Sequence, residues 1–130
     1  CRCLFATHYH ELTRLAERGV KVSLLTNALS STDSVLVFGA YRLYRGQLLA
    51  AGADVYEYSK PALAGRRRDL LHSKIFLIDR RQAIVGSLNF DLRSAFTNTE
   101  LGLMFEEPEL LAELGRKCDS LCAPDHAYHL

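Results

Sequence analysis

The chain has little net charge and no long apolar run, and these two absences narrow the class of protein. Its 16 Lys and Arg residues and 15 Asp and Glu residues give a formal net charge of +1. A net charge this small provides no overall attraction to nucleic acid. Any anion-binding site must therefore arise from a local arrangement of side chains. No apolar run approaches the roughly 20 residues that a membrane span requires. The first residues do not resemble a signal peptide.

Cysteine and methionine are also scarce, and their positions carry information. The four cysteines are Cys1, Cys3, Cys118 and Cys122. The first pair does not have zinc-knuckle spacing, and the second pair lies four residues apart on one face of a predicted helix. We therefore predict reduced, partly buried thiols and no metal site. The chain begins with Cys1 and its only methionine is Met104, so we expect a fragment of a longer protein.

Helix and strand patterns alternate along the first half of the chain. A helical pattern ends near Gly19, a strand pattern covers about 20–25, a long helix about 34–51, and a strand 53–58. This alternation predicts an α/β fold in which helices pack on a sheet. A length of 130 residues suits one domain or part of one. The candidates for the inward face of the long helix include Tyr41, Leu48 and Leu49.

The second half of the chain begins with two adjacent strand patterns, at about 72–79 and 82–87. A short helix or turn is predicted over 91–96, followed by a strand over 99–105. Pro108 is expected to begin the last helix, because proline is tolerated in the first turn. The chain is therefore expected to form several strands with helices between them.

The most informative stretch is the pair of strand patterns at 72–87 with the residues that follow them. It carries the pattern H-x-K-x4-D-x6-G-S-x-N, whose residues are His72, Lys74, Asp79, Gly86, Ser87 and Asn89. Because successive side chains of a strand point to opposite faces, His72 and Lys74 share one face. An imidazole beside an ammonium group, at the end of a buried strand, suits an anionic substrate better than it suits packing.

This pattern resembles the HKD motif of the phospholipase D superfamily, and every position of that motif is matched. The segments 91–94 (Asp-Leu-Arg-Ser) and 98–102 (Asn-Thr-Glu-Leu-Gly) resemble the continuation seen in the bacterial cardiolipin synthase branch. The resemblance implies an α/β fold, a single phospholipase D-like HKD half-domain with a mixed β-sheet flanked by helices. We assign residues 11–130 to this domain and leave 1–10 unassigned.

The resemblance also implies the chemistry of the site, in which phosphodiester exchange passes through a covalent phosphohistidine. His72 would act either as the nucleophile or as the general acid. Glu100 would accept a hydrogen bond from the other nitrogen of His72 and so hold its tautomer. Lys74 and Asn89 would bind the non-bridging phosphate oxygens. This chemistry requires no cofactor and no metal.

Three further residues of the motif have supporting roles. Ser87 is expected to form hydrogen bonds within the site. Gly86 allows the backbone to turn and to approach the phosphate closely. Asp79 is interpreted as structural, because five residues of strand place it about 16 Å from Lys74, too far to reach the same phosphate.

A site of this type needs two HKD motifs that face each other, and this sequence contains one. The chain resembles the C-terminal half of a two-motif enzyme, and in that position the resemblance favours His72 as the general acid and base. The first interpretation is therefore one half of a cardiolipin synthase-like phosphatidyltransferase. The second is a homodimeric single-motif endonuclease or phosphodiesterase, although the near-neutral charge counts against a nucleic-acid substrate. The third is an isolated half-domain that is inactive on its own.

The expected partners follow from the same resemblance. They are phospholipids such as phosphatidylglycerol, and a second HKD half supplied by the parent chain or by a homodimer mate. Nucleic acid is a less favoured partner. The expected location is the cytoplasm or, by peripheral contact, the inner face of a bacterial cell membrane.

Overall fold

The structure, a computed structural model, describes residues 2–4, 10–32, 35–59, 71–88 and 97–130. Among these residues the helices are α1 (His10–Glu17), α2 (Val35–Ala50) and α3 (Pro108–Leu121). The strands are β1 (Arg2–Leu4), β2 (Ser23–Asn27), β3 (Asp54–Tyr58), β4 (Lys74–Ile78), β5 (Gln82–Gly86), β6 (Gly102–Phe105) and β7 (Ala127–His129). In the part of the chain that is described, no helix is long and apolar enough to cross a membrane.

The seven strands form one mixed sheet in the order β6-β5-β4-β1-β2-β3-β7. The neighbours β1, β2 and β3 run parallel. Every other neighbouring pair is antiparallel. The predicted α/β fold with a mixed sheet is therefore confirmed. The sheet also includes Arg2–Leu4, which lies in the segment to which the sequence assigned no structure.

Helices cover both faces of the sheet, so neighbouring residues of β2 are buried in two different cores. Leu24 packs in a core with Tyr41 and Leu48 of α2. Leu25 packs in a second core with Cys118 of α3. These side chains are almost completely buried, and burying a leucine side chain contributes about 2 kcal/mol to stability. The two cores hold β2 rigidly between the helices.

The observed elements differ from the predicted ones mainly at their ends. Strand β4 begins at Lys74 and β6 at Gly102, each two or three residues later than the sequence pattern suggested. The helix predicted over 91–96 lies outside the described residues. Leu49, predicted to face inward, is 36% exposed. Strand β7 was not predicted, because three residues at a sheet edge carry too short a pattern to recognise.

A buried carboxylate joins α2 to β3. Oε1 of Glu57 accepts hydrogen bonds from the Tyr41 hydroxyl and from Nη1 of Arg45, each at 2.9 Å. Glu57 is only 8% exposed, so its charge needs these donors. The hydrogen bond to Glu57 in turn raises the pKa of the Arg45 guanidinium. The three side chains fix α2 on the sheet at the end of β3.

Replacing Glu57 with alanine is expected to lower the free energy of unfolding by about 2 kcal/mol, because it removes the carboxylate to which the buried Tyr41 hydroxyl and the Arg45 guanidinium donate. Urea denaturation followed by circular dichroism measures the change. The control is Lys21→Ala, which removes an exposed ion pair to Asp54 at 3.9 Å and should cost less than about 0.5 kcal/mol. Equal losses in the two variants would contradict the structural role of Glu57.

Candidate active site

Four residues of the H-x-K-x4-D-x6-G-S-x-N pattern, His72, Lys74, Gly86 and Ser87, come together at one end of three neighbouring strands. Lys74 at the start of β4 pairs with Gly86 at the end of β5. Gly86 pairs in turn with Gly102 at the start of β6. This register places His72, Ser87 and the residues just before β6 along the same edge of the sheet. The antiparallel pairing therefore gathers segments that are far apart in sequence.

His72 and Lys74 differ sharply in exposure. His72 is exposed, whereas Lys74 is only 8% exposed. The ammonium group of Lys74 donates a hydrogen bond of 2.7 Å to the backbone carbonyl of His72. A positive charge is thus held against the backbone of the exposed His72. Such a charge stabilises an anion bound at this surface, and its partial burial strengthens that effect.

The Glu100 carboxylate is held by donors on both of its oxygens. The Ser87 hydroxyl donates to Oε2 of Glu100 at 2.5 Å, and Nδ2 of Asn98 donates to Oε1 at 3.1 Å. The Ser87 hydroxyl also accepts from the Leu101 backbone N–H at 3.0 Å. Two fixed donors orient the carboxylate before any substrate binds, which favours a defined role in proton transfer or in holding an imidazole.

The hydrogen bonds described for the Glu100 carboxylate come from Ser87 and Asn98, and none is described from the His72 imidazole. Strand β5 lies between the two segments. Because neighbouring strands are about 4.8 Å apart, the two backbones are separated by roughly 10 Å. The sequence-based pairing of Glu100 with His72 therefore stays a prediction.

Gly86 is placed where a side chain cannot fit. A Cβ atom built on it would lie 2.2 Å from the Leu101 carbonyl oxygen and 2.7 Å from Cα of Gly102. Both contacts are with backbone, which cannot move aside as a flexible side chain can. The glycine therefore allows close approach of β6 to β5. This close approach positions Ser87, whose N–H donates to the Leu101 carbonyl at 2.9 Å.

Asp79 lies at the opposite end of β4, in the turn to β5. It and Arg80 adopt left-handed backbone conformations, with φ of 50° and 55°, and aspartate is one of the few residues that do so readily. The N–H of Arg81 donates to the Ile78 carbonyl at 2.9 Å and closes the turn. Asp79 thus belongs to the β4–β5 turn, and the length of β4 separates it from Lys74.

One predicted site residue cannot be placed, and one was missed. Asn89 lies outside the described residues. Asn98 was not assigned a role from the sequence, yet its side chain holds Glu100. Its position two residues before Glu100, in the segment that resembled the cardiolipin synthase branch, was the available signal.

Comparison with known proteins agrees with this geometry. A family model described as "Cardiolipin synthase, PLD-like domain" matches residues 4–122. The chain is 37% identical over 116 residues to an uncharacterized protein of Helicobacter pylori, covering 85% of this chain and 22% of that protein. It is 37% identical over 115 residues to cardiolipin synthase C of Escherichia coli, covering 80% and 24%. The chain thus spans less than a quarter of the length of these curated relatives.

Solved structures show the same fold. Nuc of Salmonella typhimurium, described as a phospholipase D family member, superposes with a TM-score of 0.70 at 16% identity, covering 99% of this chain and 78% of that one. Phosphatidylserine synthase of Haemophilus influenzae superposes with a TM-score of 0.71 at 16% identity, covering 99% and 33%. The chain therefore belongs to the family of cardiolipin synthase PLD-like domains, within the phospholipase D superfamily of proteins that act on phosphodiesters.

Proposed function

We propose that this chain supplies one half of the active site of a cardiolipin synthase-like phosphatidyltransferase, in which a second HKD motif supplies the other half. The observation that carries the proposal is the exposed His72, whose backbone carbonyl accepts a hydrogen bond from the buried Lys74, at the same end of the strands as the oriented Glu100. Membership of the cardiolipin synthase PLD-like family supports the reaction class. In this proposal residues 11–130 act as an HKD half-domain.

The proposed reaction has two steps, and each exchanges one bond at phosphorus. One motif histidine attacks the phosphorus, so that an N–P bond forms and the bond to the leaving alcohol breaks. The other histidine protonates the departing oxygen. In the second step that histidine takes the proton of the incoming hydroxyl, which attacks phosphorus and releases the first histidine. His72 performs one of these two roles, and its exposed imidazole is accessible for either.

The surrounding groups serve the phosphate and the imidazole. Lys74 stabilises negative charge on the phosphate oxygens as it develops, because its ammonium group is already in place. Asn89 adds a neutral donor to the same oxygens. Glu100, held by Ser87 and Asn98, supports the protonated form of a motif histidine.

The exposure of His72 favours a site that is completed by a second half. A covalent phosphohistidine must be shielded from water if the phosphatidyl group is to pass to another alcohol instead of being hydrolysed. His72 lies at the surface of this chain. The second motif, supplied by the parent chain or by another copy, would cover it. Phospholipids such as phosphatidylglycerol are the proposed substrates, reached by peripheral contact with the inner face of a bacterial membrane.

A second function is favoured by one structural likeness. The chain covers 78% of the Nuc chain, so a protein not much longer than this one has the same fold. A homodimer of such chains would bring two copies of His72 together and form a single-motif phosphodiesterase or endonuclease. The net charge of +1 makes nucleic acid the weaker of the two substrate classes.

One set of assays on the chain distinguishes the two proposed functions. Light scattering gives the oligomeric state of the chain. Phosphatidylglycerol vesicles and, in a separate assay, plasmid DNA are offered as substrates. Formation of a two-phosphate lipid with release of glycerol supports the transferase. Nicking of plasmid DNA by a dimer supports the endonuclease and contradicts the transferase. A monomer that is inert towards both substrates would show that the half-domain is inactive alone. In that case the proposed function requires transferase activity to appear when the second HKD half is added.

A further inference from the structure

Asn27 at the end of β2 holds the segment that leads into His72. Its Nδ2 donates to the Leu71 carbonyl at 2.8 Å. Its Oδ1 accepts from the Leu71 backbone N–H at 3.0 Å. The side-chain amide of Asn27 thus pairs with both polar groups of one residue, as a neighbouring strand would. These residues are 44 positions apart in the sequence.

The Asn27 amide contacts Leu71 beyond the end of β1, where the described sheet has no strand between them. Strand β1 lies between β2 and β4, and its last residue, Leu4, pairs with Ile75. Leu71 lies four residues before Ile75, beyond that pairing. A carboxamide carries the same donor and acceptor as a peptide group, so Asn27 supplies the pairing for the Leu71 backbone.

The position of Asn27 is itself well fixed. It pairs with Tyr58 of the neighbouring strand β3. The next residue, Ala28, donates its N–H to the Tyr58 carbonyl at 2.9 Å, and the buried Ser31 hydroxyl donates to the same oxygen. The Leu71 side chain packs in the core that contains Tyr58. Both ends of the link therefore rest on the rigid centre of the sheet.

We propose that Asn27 is a positioning residue for His72, acting through the peptide of Leu71. His72 then lies between two restraints: Asn27 fixes the residue before it, and the Lys74 ammonium group holds its own carbonyl. With its backbone fixed on both sides, the exposed imidazole needs only its side-chain rotamer to reach the reacting phosphorus. The inference rests on the proposed role of His72 at a phosphodiester.

The kinetic test compares Asn27→Ala and the near-isosteric Asn27→Asp with Ser30→Ala. Ser30 lies in the same segment, and the hydrogen bond described for its hydroxyl is with the Ser59 hydroxyl at 3.0 Å. In the assay in which the wild type turns over, both Asn27 variants should lower kcat at least about 10-fold with KM changed less than about threefold, since a small displacement of a reacting group is costly. Ser30→Ala should stay within about twofold. A kcat within twofold of the wild type in folded Asn27→Ala or Asn27→Asp overturns the inference.

A second measurement does not depend on activity. Hydrogen exchange at the Leu71 amide and the ring 1H–13C resonances of His72 are followed by NMR in the same chain. Asn27→Ala should speed exchange at Leu71 about 10-fold or more and shift the His72 ring signals, whereas Ser30→Ala should change neither. If Asn27→Ala changes neither, the inference fails even where the proposed function holds. If wild type and His72→Ala are equally inert with the second half present, the proposed function fails, and the NMR result alone decides the role of Asn27.

Discussion

The His72→Ala variant is expected to reduce turnover by at least about 1,000-fold, measured in the active assembly of this chain with its second HKD half. The reason is that catalytic residues that act together lose most of their rate enhancement when one of them is removed. His72 is exposed and makes its described contact through its backbone carbonyl. The substitution should therefore leave the free energy of unfolding within about 0.5 kcal/mol of the wild type. Activity is measured as transfer from phosphatidylglycerol, and stability by urea denaturation.

The matched control for this variant is His126→Ala. His126 lies before β7, where Nδ1 contacts the Ser120 carbonyl at 3.0 Å, far along the sheet from β4. Its loss should leave turnover within about twofold, provided that the protein is folded. Turnover above one tenth of the wild-type rate in His72→Ala would contradict the assignment.

The wild-type assembly can show whether His72 is the nucleophile or the general acid and base. The reaction is stopped at high pH and not with acid, because a phosphohistidine survives at high pH. Peptide mapping by mass spectrometry then finds the phosphorus on His72 if this residue is the nucleophile. It finds the phosphorus on the second motif, and only with His72 present, if His72 is the general acid and base.

Gly86→Ala is expected to lower the free energy of unfolding by about 3 kcal/mol, at the upper end of what added volume in a packed site costs. The new Cβ would lie 2.2 Å from the Leu101 carbonyl oxygen. The contact can be relieved only by moving β6 away from β5. That movement would displace Glu100 and weaken the hydrogen bonds between Ser87 and Leu101, so turnover should fall together with stability.

Gly102→Ala is the matched control, because Gly102 is the register partner of Gly86. A Cβ on Gly102 would lie 3.5 Å from Cγ2 of Ile84, an ordinary contact. Its effect on stability should be less than about 1 kcal/mol, and alanine in a strand can even be favourable relative to glycine. Urea denaturation of the two variants tests the difference. Similar losses would show that β5 and β6 do not approach as closely as the structure indicates.

The sequence by itself predicted most of the described elements and the family to which the chain belongs. Helix α3 begins at Pro108, as the first-turn preference of proline predicts. Tyr41 and Leu48 are buried on the inner face of α2, as the predicted inward positions required. The residue types of the H-x-K-x4-D-x6-G-S-x-N pattern indicated a phosphodiester site, because these local patterns depend only on neighbours in the chain.

The tertiary structure alone decided which segments meet. The 44-residue separation of Asn27 and Leu71, and the closeness of Gly86 to Leu101, follow from strand order and register. The same is true of β1, which lies at the centre of the sheet although the sequence left it unassigned. Strand pairing is set by packing over the whole sheet, which short-range periodicity does not encode. For that reason the sequence predicted the groups of the candidate site, and the fold determined which side chains contact them.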